Sequence, residues 1–278
     1  MEQSTNYRIA AIVVLFNPEK SVLTNISSYE KYVDTVIIVD NSFVNNQSYF
    51  SNYSYIPLFT NTGIAKALNV GIYEAIKQGY NCFVTMDQDS KFENNIIEEY
   101  FSVIRKAKGR KIGMMVPRYI YDRAKSSDRG KCFQTIRLAM QSAAMITVEV
   151  FSEIGDFCED LFVDCVDYDY CYRLRNKGFE IIQCNEARLN HHPAETKLIN
   201  FLFFELKYGQ ASPLRYYYQS RNLMYLFLRY KDFYTLVIFV LKLLKVLLLF
   251  NKKTDYLKMM ARGLVDCYAN RFGSYVQR

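Results

Sequence analysis

The chain of 278 residues is half apolar and 16% aromatic, which is enough to bury a large core and excludes a chain that is disordered overall. Its formal net charge is +7, but residues 1–200 carry a net charge of −2 and residues 201–278 a net charge of +9. The slightly acidic N-terminal part argues against a nucleic-acid-binding groove, so we expect no nucleic-acid partner.

The first 120 residues alternate between short apolar runs and helical periods. Predicted strands cover residues 8–16, 35–40, 55–59, 82–86 and 112–116, and predicted helices cover residues 63–78 and 94–107. This alternation predicts a mostly parallel sheet with helices on both faces, that is, an α/β fold. Ligands of such sheets bind beyond the carboxyl ends of the strands, where Asp40, Asp87 and Asp89 are found.

The second half of the chain has a less regular pattern. We predict a strand at residues 137–147, a helix at 148–154, a helix over 166–176 with a strongly acidic start, and a strand at 179–184. Beyond residue 200 the pattern predicts helices at 200–208, 216–230 and 233–250. The change in composition near residue 200 divides the chain into a main domain of residues 1–200 and a C-terminal helical region of residues 201–278.

The cysteines indicate a reducing compartment. All seven are scattered, without a Cys-x-x-Cys pair or a Cys/His cluster, so reduced thiols are favoured over disulfides or a zinc site. The first residues, MEQSTNYR, show neither the basic start nor the apolar stretch of a signal peptide. We therefore expect a cytoplasmic protein.

Asp87 and Asp89 form a D-x-D motif directly after a predicted buried strand. Two carboxylates at i and i+2 can face one crevice and bind a hard cation such as Mg²⁺ or Mn²⁺ together with substrate phosphates. Such an ion would stabilise the charge on a departing diphosphate. The alternative is a polar turn that caps the next helix, because an isolated D-x-D motif is common.

Asp40 and Asp167 are the other candidate acids. A carboxylate at the strand end, as Asp40 is, can accept hydrogen bonds from a ribose hydroxyl or a base N–H, although an Asx turn or a helix N-cap explains it equally well. Asp167 lies in the first turn of a predicted helix, where a general base could face a cleft. Helix capping and interaction with the helix dipole explain the same pattern.

Four sequence blocks together resemble family 2 glycosyltransferases, in particular bacterial rhamnosyltransferase-like members. The blocks are AAIVVLFNP at residues 10–18, NTGIAKALNVGI at 61–72, TMDQDS at 85–90 and LFVDCVDYDYCYRLRNKGFEI at 161–181. They occur in the family's order. The resemblance implies a GT-A-type nucleotide-diphospho-sugar transferase fold, in which a mostly parallel mixed sheet is flanked by helices, and it implies inverting chemistry.

The resemblance also implies roles for individual residues. The donor would bind at Asp40, Asn61, Gly63, Asp87 and Arg221, the metal ion would bind at Asp89 and His191, and Asp167 would be the catalytic base. Two positions depart from the family's pattern. Ala143 follows Ser142 where many members have glycine, and Ala194 replaces the usual glycine after the pair His191-His192.

The activity implied by the resemblance is metal-dependent glycosyl transfer with Mg²⁺ or Mn²⁺. L-rhamnose would move from dTDP-rhamnose, a nucleoside-diphosphate sugar, to a hydroxyl of a lipid-linked glycan acceptor in cell-surface polysaccharide synthesis. A nucleotidyltransferase would show a Gly-rich basic loop near the N-terminus, and a dehydrogenase would show G-x-G-x-x-G after the first strand, but the sequence has neither. The alternatives are a catalytically inactive carbohydrate-binding or scaffold protein with the same fold, or a nucleotidyltransferase, which the missing loop disfavours.

Residues 233–250 form an apolar segment that is near the lower length limit for a membrane span. Lys242 and Lys245 interrupt it, and each lysine at the centre of a span costs about 2.5–3.5 kcal/mol. We therefore favour a helix in the plane of the inner membrane face, with both lysines toward anionic headgroups, and a peripheral membrane location for the protein. The alternative is a helix that packs on the main domain.

Overall fold

The computed structural model describes residues 7–120, 131–191, 195–201 and 204–276, and for residues 191, 195, 196, 199–201 and 204–206 it describes the backbone alone. The strands are β1 (Ile9–Leu15), β2 (Thr35–Asp40), β3 (Ser54–Pro57), β4 (Cys82–Asp87), β5 (Ser90–Phe92), β6 (Ile112–Ile120), β7 (Phe133–Ile136), β8 (Ala144–Thr147), β9 (Glu180–His191), β10 (Glu195–Phe201) and β11 (Phe204–Gln210). The helices are α1 (Ser21–Ser27), α2 (Ile64–Lys77), α3 (Ile96–Lys106), α4 (Val148–Ile154), α5 (Val166–Asn176), α6 (Pro213–Tyr230), α7 (Phe233–Leu249) and α8 (Lys253–Tyr268).

One large mixed sheet organises the described chain. Its strand order is β3-β2-β1-β4-β8-β6-β9-β5, and β7 also pairs with β9. Strands β3, β2, β1 and β4 are parallel to each other, and β6 is parallel to β9. Strand β8 is antiparallel to β4 and β6, and β5 and β7 are antiparallel to β9. A mixed sheet with flanking helices is confirmed, but four of the eight strand pairings described in this sheet are antiparallel, so the prediction that it is mostly parallel is wrong.

Strand β1 shows why the predicted apolar runs have no polar face. All seven of its residues are buried, and they alternate between two apolar clusters, one on each face of the sheet. Helices α2 and α5 contribute to the first cluster, and helices α1 and α3 contribute to the second. Gly71 lets α2 approach the sheet closely, since a Cβ atom there would lie 2.4 Å from Cγ2 of Ile12.

Two predicted elements are wrong. Residues 137–147 are not one strand, because β7 ends at Ile136, β8 begins at Ala144, and the loop between them contains Ala143 with a φ of +57°. Residues 200–208 are not a helix, because β10 and β11 form an antiparallel hairpin in which Asn200 pairs with Glu205. The Phe, Ile, Thr and Tyr residues of this segment favour strands, and this preference outweighs the apparent helical period.

The C-terminal helices pack around α6, which contacts both α7 and α8. Gly263 permits a close crossing of α8 over α6, since a Cβ atom there would lie 2.4 Å from the carbonyl oxygen of Tyr217. None of the helices in the described ranges is long and apolar enough to cross a membrane.

The two lysines of α7 lie on the protein side of that helix. Nζ of Lys245 donates to the carbonyl of Gly209, and Nζ of Lys242 lies 5.9 Å from the centre of the Tyr216 ring. The prediction that both lysines face anionic headgroups is therefore wrong. The half-helix that carries them meets the β10–β11 hairpin and α6 instead.

Candidate active site

Asp40 ends β2 and is almost completely buried. One carboxylate oxygen accepts a hydrogen bond from the backbone N–H of Ser42 at 2.9 Å. The other accepts from Nδ2 of Asn46 at 2.7 Å and from the hydroxyl of Tyr55. Burial, and then this hydrogen bond, raise the pKa of Tyr55, so its hydroxyl stays a donor. Asp40 thus organises the turn that follows β2.

Asn41 ties the end of β2 to the segment before α2. Its side-chain oxygen accepts from the backbone N–H of Thr62 at 2.7 Å, and its Nδ2 donates to the carbonyl of Gly63 at 3.1 Å and to Oδ1 of Asn61 at 3.2 Å. Three predicted donor-binding residues, Asp40, Asn61 and Gly63, are therefore brought together on one side of the sheet end.

Gly63 also connects this segment to the loop before α5. Its φ is +84°, and a Cβ atom would lie 2.6 Å from the carbonyl oxygen of Phe162. That carbonyl accepts the backbone N–H of Ile64 at 2.7 Å. A side chain at position 63 would break this contact, so the sequence motif requires glycine here for both conformation and space.

Asp87 ends β4 at the same level as Asp40. In the sheet, Asp40 is opposite Leu15 and Asp87 is opposite Val14, on the two sides of β1. Two strand spacings separate them, so their backbones are about 10 Å apart. Nε2 of Gln141 donates to the Asp87 carboxylate, which fixes it toward the loop before β8.

The D-x-D turn is held by its middle residue. Oε1 of Gln88 accepts from the backbone N–H of Phe16 at 2.8 Å, and the carbonyl of Gln88 accepts from Nδ2 of Asn25 at 2.8 Å. Asp89 is exposed beyond this anchored residue. The next residue, Ser90, pairs with the backbone of His191 at the end of β9. The side chain of His191 lies outside the described part of the structure, as does the whole of His192.

Asp167 lies in the first turn of α5, behind a strained loop. Phe162, Asp164 and Cys165 have φ values of +63°, +61° and +64°, a conformation that costs roughly 1–3 kcal/mol for each non-glycine residue. The Asp167 side chain is partly buried, and one of its oxygens accepts from the backbone N–H of Tyr168 at 2.9 Å. The loop geometry thereby holds a carboxylate at the start of a helix.

Asn222 and Arg221 of α6 support that loop from behind. Nδ2 of Asn222 lies 2.8–2.9 Å from the carbonyl oxygens of Leu161, Val163 and Asp164. Arg221 is fully buried, and its guanidinium donates to the carbonyls of Asp160, Leu161 and Gly273 and to Oδ1 of Asn222. The sequence predicts that Arg221 contacts the donor. The structure instead packs Arg221 behind the loop, where its side chain is buried.

Arg215 is the arginine that faces the carboxylates. It forms a two-point ion pair with Asp164, with Nε and one terminal nitrogen 2.6 and 2.8 Å from the two oxygens. The charge of Asp164, and more weakly those of Asp87 and Asp167, raise the pKa of Arg215. Its side chain is 45% exposed, so it can also reach a ligand. Gln219 donates to the same Asp164 carboxylate at 3.3 Å.

The pKa of Asp167 is raised to about 7. Burial is the main cause, and the negative charges of Asp164 and Asp87 add to it. Asp87, Asp164, Asp167 and Arg215 therefore act on one another although they come from three distant segments. Among the described residues, no three His, Cys, Asp or Glu side chains form a ready-made metal site.

The sequence of most of the chain is similar to that of a curated bacterial protein. The dTDP-rhamnosyl transferase RfbF of Shigella flexneri is 27% identical over 240 residues, which cover 78% of this chain and 79% of that protein. The resemblance to bacterial rhamnosyltransferases is confirmed. No family model matches the chain.

Solved structures show that the chain has a GT-A-like fold. The mannosyltransferase PcManGT from Pyrobaculum calidifontis, in complex with GDP-Man and Mn²⁺, gives a TM-score of 0.59 at 13% identity, with 95% of this chain and 86% of that chain covered. GalNAc-T7 with UDP, GalNAc and Mn²⁺ gives a TM-score of 0.54 at 15% identity, with 68% of this chain covered. This chain spans 44% of the GalNAc-T7 chain.

The sequence does not predict three residues of the candidate site. Asp164 lies inside the acidic block that contains Asp167, but its ion pair was not predicted. Gln141 and Arg215 lie 54 and 51 residues from their carboxylate partners, and neither stands in a motif. The arginine that the family resemblance assigns to the donor is Arg221, six residues after Arg215 in the same helix.

Proposed function

We propose that this protein is an inverting glycosyltransferase that transfers L-rhamnose from dTDP-rhamnose to a hydroxyl of a lipid-linked glycan. The observation that carries the proposal is the electrostatic grouping of Asp87, Asp164, Asp167 and Arg215 at the carboxyl end of the sheet. The similarity to a dTDP-rhamnosyl transferase supports this donor. The acceptor would belong to cell-surface polysaccharide synthesis at the cytoplasmic face of the membrane.

Asp167 is the general base of the proposed reaction. A base is most effective when its pKa lies near the working pH, and the pKa of about 7 meets that condition. As the acceptor oxygen forms its bond to the anomeric carbon, the hydroxyl proton passes to the Asp167 carboxylate. The bond from the anomeric carbon to the diphosphate oxygen breaks on the opposite side, and its electron pair leaves with the diphosphate. Attack from the face opposite the departing diphosphate inverts the configuration at the anomeric carbon.

The nucleoside part of the donor would lie against Asp40, Asn61 and Gly63, with Asp87 on the other side of β1. A carboxylate has about four lone-pair positions, and three of those on Asp40 are used by donors within the protein. The remaining position suits a single ribose hydroxyl or base N–H. The absence of a side chain at Gly63 would let this segment stay packed against Phe162, since a Cβ atom there would lie 2.6 Å from the Phe162 carbonyl oxygen.

Asp89, with Asp87 and His191, would hold a Mg²⁺ or Mn²⁺ ion, which when bound would stabilise the negative charge of the departing diphosphate. Asp87 and Asp89 would supply carboxylate oxygens, which a hard cation prefers as ligands. The charges of Asp164 and Asp87 both act on Asp167, so negative charge is concentrated near Asp87. Within the protein, Arg215 is proposed to supply a positive charge that stabilises the departing diphosphate. Arg221 is proposed as a positioning residue for the loop at 160–164.

A screen of nucleotide sugars tests the proposal. Purified protein is incubated with dTDP-rhamnose, UDP-GlcNAc or GDP-mannose, Mn²⁺ and a lipid-linked glycan, and the released nucleoside diphosphate and the extended glycan are both measured. We expect both products with dTDP-rhamnose, and a turnover about 10²-fold lower for Asp167→Asn with donor binding retained. The matched control is Asp156→Asn, because the Asp156 carboxylate accepts a hydrogen bond from Tyr73 instead of facing the proposed site.

The readouts separate the alternatives. Release of dTDP without glycan extension, and at the same rate in Asp167→Asn, would remove Asp167 from the role of base. Donor binding without any release would instead favour an inactive carbohydrate-binding protein. Turnover with a different nucleotide sugar would overturn the donor but leave the reaction class in place.

A further inference from the structure

Helix α7 presents a continuous apolar face to solvent. Eight large apolar side chains on this helix are each at least 40% exposed: Phe233, Tyr234, Val237, Val240, Leu241, Leu244, Leu247 and Leu248. At 100° per residue they fall within about 140° of the helix circumference, over roughly 24 Å of length. A single exposed leucine is ordinary, but a contiguous apolar stripe of this kind marks an interaction surface.

The opposite face of α7 is packed, so the orientation of the helix is fixed. Thr235 and Val246 are completely buried, and Phe239 and Leu243 pack against the cluster of Tyr216, Phe250, Tyr256 and Met260. Lys242 and Lys245 lie at the border of the packed face and turn toward the protein. No charged side chain therefore interrupts the exposed stripe.

Both ends of the stripe carry positive charge. Lys231 lies two residues before α7, Lys252 lies three residues after it, and Lys253 begins α8; all three are exposed. The acid at the start of the helix, Asp232, is paired with Arg137 at 2.6 Å. An apolar face with cations at its ends matches the boundary between anionic headgroups and acyl chains.

We propose that the exposed face of α7 lies in the interface of a membrane that contains anionic phospholipids. The inference rests on the proposed function in one respect, namely that a lipid-linked acceptor would be presented at that membrane. A second copy of the chain fits this surface less well. A symmetric dimer through α7 would bring the basic ends of two copies together, and those charges would repel.

Binding of the full chain to vesicles tests the proposal. We compare sedimentation with vesicles of phosphatidylcholine alone and with vesicles of phosphatidylcholine and phosphatidylglycerol in equal parts. Binding should be clearly stronger to the anionic vesicles. Leu241→Glu should weaken it by about tenfold or more, because a 59% exposed leucine in the centre of the stripe would lose its contact with the acyl chains.

Val265→Glu is the matched control, because Val265 is a 56% exposed apolar residue on α8 and the substitution adds the same charge. It should leave vesicle binding nearly unchanged. The double variant Lys252→Glu and Lys253→Glu should weaken binding to anionic vesicles by about fivefold or more per lysine and have little effect on neutral ones.

Three results would overturn the proposal. These are no sedimentation with anionic vesicles, equal loss of binding in Leu241→Glu and Val265→Glu, or a dimer of the free chain that Leu241→Glu dissociates. Release of dTDP from dTDP-rhamnose without vesicles is measured in parallel. If the unsubstituted chain releases no dTDP, this result counts against the proposed function alone. If Leu241→Glu releases dTDP at the rate of the unsubstituted chain, the variant is folded.

Discussion

The carboxyl group of Asp167 is influenced by its burial and by two neighbouring carboxylates, and together these raise its pKa to about 7. A base must be ionised to accept a proton, so kcat/KM should fall as the pH drops through about 7. Asp164→Asn removes one of the negative charges that raise this pKa, so the acidic limb should move to lower pH. Initial rates of rhamnose transfer across this pH range provide the measurement.

The direction of that shift is the decisive part of the pH experiment. A limb that moves to higher pH in Asp164→Asn would contradict the arrangement of charges described here. Glu74→Gln is a suitable control, because the Glu74 pKa is lowered chiefly by its hydrogen bond with Gln78, far from the site. A profile that stays flat through pH 7 would mean that Asp167 does not limit the reaction.

Arg215 and Arg221 should respond in opposite ways to substitution. Arg215→Met removes a two-point ion pair in which the arginine is 45% and Asp164 14% exposed. Solvent at the arginine limits its contribution to stability to about 1 kcal/mol. The substitution should nevertheless lower kcat by about tenfold or more, because the proposed positive charge beside the diphosphate is lost. Arg221→Met removes the donor to the carbonyl of Gly273 and to Oδ1 of Asn222, and each acceptor left unpaired costs about 1–3 kcal/mol. Thermal unfolding and donor kinetics are measured for both variants.

We expect thermal stability and activity to change independently in the two variants. Arg215→Met should unfold within a few degrees of the parent chain and Arg221→Met well below it. Arg215→Lys should recover part of the activity, since the charge returns without the two-point geometry. If Arg215→Met keeps full activity, the diphosphate is neutralised by some other group.

At the scale of elements, the loop before α5 depends on α6. Asn222→Ala removes the donor that lies within 2.9 Å of three carbonyl oxygens, and the positive-φ residues of the loop would then lose their support. We expect a loss of about 2 kcal/mol or more in the free energy of unfolding, together with lower activity. Denaturant unfolding measures the first effect. Leu214→Ala, an exposed position on the same helix, should change neither property.

Elements with a strong local signal could be predicted from the sequence, and those defined by distant contacts could not. The buried run of β1 and the helix α5 match their predicted positions because both are dictated by apolar patterns within one segment. The loop around Ala143 is different. Its shape depends on Tyr100, whose hydroxyl donates to the Ala143 carbonyl from another helix at 2.7 Å. The hairpin formed by β10 and β11 similarly depends on pairing that no helical period can reveal.

At the scale of the whole molecule, the order of the parallel strands predicts only the part of the site that lies at the strand ends. Parallel strands place their carboxyl ends at one edge, which brings Asp40 and Asp87 to the two sides of β1. The proximity of Asp167 to Asp87 required the family resemblance, because no local pattern links α5 to that edge. Arg215 required the structure itself, since its ion pair spans 51 residues and joins α6 to the loop before α5.

The joint binding of nucleotide and metal should stabilise the entire fold, since both would contact segments that are distant in sequence. A ligand at about 100 times its dissociation constant stabilises the native state by about 2.7 kcal/mol, which for a chain of this size corresponds to roughly 5 °C or more. We expect this increase in Tm with dTDP and Mn²⁺ together, and a much smaller one with dTDP in the presence of a chelator. Asp89→Ala should abolish the metal-dependent part while the unliganded Tm stays close to that of the parent, because Asp89 is exposed. An equal increase in Tm with and without chelator would mean that the nucleotide binds here without a metal ion, and the D-x-D turn would then have to be explained by its structural contacts through Gln88 alone.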